Sequence, residues 1–60
     1  MINSLIDDII DFEAGVMAHD QIPVFVQQLI DTGYIDHLQG AYQRLARELI
    51  DAGMCHYKEQ

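Results

Sequence analysis

Leu29-Ile30-Asp31-Thr32-Gly33 and Leu49-Ile50-Asp51-Ala52-Gly53 stand twenty residues apart in a chain of 60. They are either two copies of a functional motif or two copies of one way to stop a helix. The residues upstream decide between these. Before the first copy, Ile22, Phe25, Val26, Leu29 and Ile30 fall on one helical face, with Gln27, Gln28, Asp31 and Thr32 on the other. Before the second, Ala41, Tyr42, Leu45, Ala46, Leu49, Ile50 and Ala52 make the apolar face, and Gln43, Arg44, Arg47, Glu48 and Asp51 the polar one. Each glycine follows the last periodic residue, where a left-handed residue closes a helix. An apolar residue after the glycine completes the stop signal, pairing Tyr34 with Leu29 and Met54 with Leu49. The two stretches therefore read as helix terminators. Their aspartates lie in last turns, slightly against the helix dipole. Asp51 has Arg47 one turn back, whereas Asp31 has no base within reach on its own helix. Asp31 is the part of the pair that capping leaves unexplained, and it enters the candidate partner-binding residues for that reason.

The rest of the chain follows from the same periodicity. A first helix is expected from Asn3 or Ser4, with Gly15 ending its regular part and Asp7 and Asp8 in its first turn. Leu5, Ile6, Ile9, Ile10, Phe12, Val16 and Met17 share a wide apolar arc, with Asp7, Asp8 and Asp11 opposite. Glu13 falls inside that arc and is expected to reach water from a fraying last turn. Asp20 is expected to cap the second helix, with Pro23 in its first turn, where the missing N–H has no intrahelical use. Val24 falls among polar residues. Tyr34–Leu38 suggests one short helical turn, and the final helix is expected from Gln39 or Gly40. The fold class is therefore all-α, a three-helix bundle with one short extra turn. Residues 1–54 form a single domain, and residues 55–60 a loose tail.

Size argues for a partner. A chain this short buries only about 60% of its unfolded surface, and small domains usually add disulfides, a metal or a second subunit. The single cysteine, Cys55, allows no intramolecular disulfide, and His19, His37, Cys55 and His56 lack zinc-site spacing. No metal and no cofactor are therefore expected. The wide arc of the first helix and Val24 point to a homodimer, with an isologous contact as the default.

Charge narrows the function further. The formal net charge is −7. Residues 1–40 carry seven acids and no Lys or Arg, and Arg44, Arg47 and Lys58 are the only such bases. Nucleic-acid affinity comes largely from Lys and Arg on phosphates, so this chain is a poor candidate. An anionic membrane surface is disfavoured on the same ground. No apolar stretch reaches the 18 residues of a membrane span, and the acidic N-terminal region does not resemble a secretory leader. A cytoplasmic protein is expected. Phosphate loops and hydrolase motifs are absent, and Ser4 stands in a capping position, so no enzyme is expected. The helix–turn–helix outline around Gln43, Arg44 and Arg47 allows a small transcriptional regulator as an alternative, and a purely structural oligomerisation module is another. Asp7, Asp8 and Asp11 place like charges at i,i+3 and i,i+4, which costs tenths of a kcal/mol per pair. That group is either a solvated surface or an electrostatic docking face for a basic partner.

The run Leu29–Cys55, LIDTGYIDHLQGAYQRLARELIDAGMC, resembles a family of very small acidic proteins encoded by bacteriophages and prophages. Its members carry an LxDTG…LQGxYxRxAxxLIxAG pattern after an acidic N-terminal helix. Matching positions are Leu29, Asp31, Thr32, Gly33, Leu38, Gln39, Gly40, Tyr42, Arg44, Ala46, Leu49, Ile50, Ala52 and Gly53, and Gln43 departs where glycine is more frequent. The family's function is unassigned, so the resemblance carries over no active-site residue. It implies a phage accessory protein that binds and blocks a host or anti-phage defence protein in the bacterial cytoplasm. Asp7, Asp8, Asp11 and Asp31 are the candidate partner-binding residues.

Overall fold

A computed structural model describes residues 5–58. Among them are three α-helices, α1 (Leu5–Glu13), α2 (Ile22–Thr32) and α3 (Gly40–Asp51), with no strand. Two 3-10 turns, His19–Gln21 and Tyr34–His37, lie between them. The cap expected at Asn3 or Ser4 lies outside the described residues.

All three helices stop at a left-handed glycine. Gly15, Gly33 and Gly53 have φ of 77°, 77° and 80°, a left-handed backbone that L-residues adopt only at a cost. After α1, the Gly15 and Val16 amides donate to the Phe12 and Asp11 carbonyls, both at 3.1 Å. After α3, Gly53 and Met54 donate to Ile50 at 3.0 Å and Leu49 at 2.9 Å. Both are complete Schellman caps. The α2 copy differs. Gly33 donates to Ile30 at 3.1 Å, but the Tyr34 amide goes to the Thr32 hydroxyl at 3.3 Å. That hydroxyl donates to the Gln28 carbonyl at 2.8 Å and lies 3.3 Å from that of Leu29. Thr32 thus interposes where Ala52 cannot, the one chemical difference between the repeats. The expected apolar half of the cap is weak, since Tyr34 and Met54 both stay exposed. Backbone hydrogen bonds close these helices.

Helix α2 is the hub, packing against α1, α3 and both 3-10 turns. It supplies Phe25, Val26, Leu29 and Ile30 to the core, and α3 supplies Tyr42 and Ala46. Leu29 is wholly buried, and burying a leucine contributes about 1.5–3 kcal/mol. Helix α1 buries no residue outright. Leu5, Ile9 and Phe12 pack half-buried on the core, while Ile6, Ile10 and Val16 stay more than half exposed. Phe12 anchors α1, its ring centroid 5.4 Å from Phe25 and 5.7 Å from Tyr42.

Three local expectations are corrected. Asp20 does not cap α2, because the helical path begins earlier. Ala18 is extended, the 3-10 turn runs directly into Ile22, and α2 has no side-chain cap. Ala41 and Ala52, assigned to the apolar face of α3, are exposed. The tail is not loose at its start. Cys55 is a core residue whose thiol donates to the Pro23 carbonyl at 3.3 Å, and His56 is tied to Gln27. The small, apolar thiol side chain suits the space against the first turn of α2.

Candidate functional site

Two polar junctions hold the elements together, and neither is local in sequence. The first ties α1 to α3. The Tyr42 hydroxyl donates to Glu13 Oε2 at 2.5 Å. Glu13 is the last residue of α1 and reaches water as expected, and it also has a partner there in Tyr42. Burial, then the hydrogen bond to Glu13 and the carboxylate's charge, push the Tyr42 phenol up to about 12.

The second junction accounts for Asp31. The Gln27 amide nitrogen donates to Asp31 Oδ1 at 2.9 Å and to the His56 carbonyl at 3.1 Å. Its oxygen accepts the His56 N–H at 2.9 Å. A carboxylate only accepts, so Asp31 fixes which way the Gln27 amide faces. That orientation presents a donor and an acceptor to the backbone of His56. Asp31 thus acts through Gln27 to dock the segment after α3. Burial first, then the Asp31 charge, raise the Cys55 thiol above its usual range, holding it protonated and poorly nucleophilic. Among the described residues, no three His, Cys, Asp or Glu side chains come together as a metal-binding set. No described helix is long and apolar enough to cross a membrane.

Asp7, Asp8 and Asp11 lie together on α1, and the structure does not bring Asp31 to them. Asp7 and Asp11 are exposed and Asp8 is half-buried. At 100° per residue, Ile10 projects about 60° from Asp7 and 100° from Asp11. The outward face of α1 is therefore an apolar residue beside an acidic strip, where separate apolar and acidic faces were expected.

The matching basic feature lies elsewhere. A groove of about 600 Å³ runs between the Tyr34–His37 turn, α3 and the segment after it. Ile30, Ile35, Ile50 and Tyr57 give it an apolar lining, and Arg47 and Lys58 are its cations. Asp36 is the one acid among the lining residues. Sequence reading placed Arg47 on the polar face of α3 but had no signal for Lys58 beside it, because the tail's path is set by the Gln27–His56 pair.

Over its whole length, residues 1–60, the chain matches a family described as a domain of unknown function, DUF7417, and it belongs to that family. No curated protein and no solved structure matches the chain.

Proposed function

We propose that this member of the DUF7417 family is a non-enzymatic, phage-type accessory protein. It acts stoichiometrically, binding a host or anti-phage defence protein in the bacterial cytoplasm and modulating or inhibiting it. The outward face of α1 is the contact surface, and Asp7, Asp8 and Asp11 supply its charge. One observation carries the reading. Helix α1 gives no buried residue to the core, yet keeps Ile10 57% exposed beside Asp7 and Asp11. An apolar contact flanked by one sign of charge suits a basic protein surface, with charge setting encounter and orientation and burial adding affinity. The buried, protonated Cys55 and the structural duties of Glu13 and Asp31 fit a binding role better than a chemical one. The resemblance to small phage proteins supplies the cellular setting.

Affinity capture from a bacterial host lysate, read by mass spectrometry, tests this. A specific partner with a basic surface should be retained by the wild type. The Asp7→Asn/Asp8→Asn/Asp11→Asn variant should lose it while keeping the wild-type circular dichroism. Equal retention by the two proteins rejects the acidic face as the contact surface.

A further inference from the structure

We infer that the groove lined by Ile30, Ile35, Ile50, Tyr57, Arg47 and Lys58 is the seat for α1 of a second copy of this chain. The inference rests on the reading of α1 as a docking face and names a second occupant for it, so that the host protein binds the dissociated chain and competes with the dimer. The two surfaces match in kind. The groove has an apolar lining with two cations, and these are two of the three Lys and Arg residues in the sequence. The α1 face has an exposed isoleucine beside Asp7 and Asp11, in a region of forty residues without Lys or Arg. Asp36 faces the groove as well, and it leaves the lining net positive by one.

No other described helix combines these features. On α2 the exposed Val24 is followed one turn on by Gln27 and Gln28 rather than by aspartates, and Gln27 and Asp31 are already engaged with each other and the tail. The exposed face of α3 balances Arg44 and Arg47 against Glu48 and Asp51 and presents no large exposed apolar residue. A marginal 60-residue core supplies the reason for a second subunit. If each copy lends its α1 to the other's groove, the contact is made twice about a two-fold axis. The dimer is then closed and does not propagate into a filament.

A charge swap tests the pairing in the full chain. One variant carries Arg47→Glu and Lys58→Glu, so that its α1 and its groove are both acidic. The other carries Asp7→Lys and Asp11→Lys, so that both its surfaces are basic. All four residues are exposed, and circular dichroism together with protection of the Cys55 thiol confirms folding. Sedimentation equilibrium should show a salt-weakened dimer for the wild type. Each variant alone should dissociate at least about tenfold more readily, a loss of roughly 1.4 kcal/mol. An equimolar mixture should recover the dimer, because both contacts are again between opposite charges. If a variant unfolds, the Arg47→Gln/Lys58→Gln protein replaces it and should show the same weakening without the recovery. A monomeric wild type overturns the self-docking, as does a dimer indifferent to these charges or a folded pair that stays monomeric on mixing. A monomeric wild type whose α1 face still captures a host partner leaves the proposed function standing. A charge-indifferent dimer together with charge-indifferent capture removes both.

Discussion

Gly33 and Gly40 stand seven residues apart, and substituting each with alanine should move stability in opposite directions. Gly33 has φ of 77°, whereas Gly40 begins α3 outside the left-handed region. Neither site has a heavy atom within 4 Å of where a Cβ would stand. Steric clash is therefore removed from the comparison, and only backbone terms remain. At Gly33 an L-residue meets a left-handed penalty of about 1–2 kcal/mol. Alanine also narrows the unfolded ensemble, which offsets about 0.4–1 kcal/mol of it. The net effect is a destabilisation of about 1 kcal/mol. At Gly40 only the second contribution acts, so Gly40→Ala should stabilise by about 0.5 kcal/mol. For a domain this small, 1 kcal/mol moves Tm by roughly 4–8 °C. Thermal and urea unfolding followed by circular dichroism should therefore separate the two variants by about 1.5 kcal/mol. Gly15→Ala and Gly53→Ala should behave like Gly33→Ala, since their sites are equally open. A neutral Gly33→Ala, or a Gly40→Ala as harmful as the other three, would refute the assignment of these glycines as helix stops.

Further outcomes follow from the two long-range junctions and the core. Leu29→Ala should cost about 2–5 kcal/mol, enough to unfold a domain with a core this small, as circular dichroism would show at once. The Cys55 thiol should resist an aromatic disulfide reagent in the native protein and react fully in denaturant. Asp31→Asn should raise the native rate by freeing Gln27 from its fixed orientation, and an unchanged rate would detach Asp31 from the docking of the tail. Tyr42→Phe should destabilise by about 1 kcal/mol, the typical worth of a hydrogen bond to a charged acceptor at a partly wet site. The phenol's raised pKa means the native state holds the proton more tightly than the unfolded chain. Its contribution is therefore complete below pH 10 and is lost as pH rises from 10 through about 12. Glu13 is exposed, and solvent screening reduces the effect to about 1 kcal/mol. Wild type should lose that much more stability than Tyr42→Phe across the window, and parallel pH profiles would contradict it.

Local signals in the sequence reached further than long-range ones. Periodic apolar spacing located three helices, and the glycine after each last turn located their ends, because these depend on neighbours within about four residues. The Thr32–Ala52 difference was visible in the repeats, yet its consequence needed the hydroxyl's geometry. Glu13 in the middle of an apolar arc was a legible anomaly, and its partner lay 29 residues away at Tyr42. Gln27 and His56 are also 29 residues apart, and a glutamine that pairs with backbone leaves no pattern in sequence. A free cysteine is among the most buried residue types, so Cys55 itself argues against a loose tail that begins there. The acidic face of α1 was legible as charge. Its exposed Ile10 and the distant Arg47–Lys58 groove were not, because exposure and the path of the tail are tertiary properties.

The docking role of α1 is tested most directly by retention of the captured host partner across a salt series, comparing wild type with the Asp7→Asn/Asp8→Asn/Asp11→Asn variant. Wild-type retention should fall as ionic strength rises and the Debye length shrinks below about 10 Å, and the folded variant should retain little at any salt. Equal retention by the two proteins at every ionic strength would contradict the role assigned to α1.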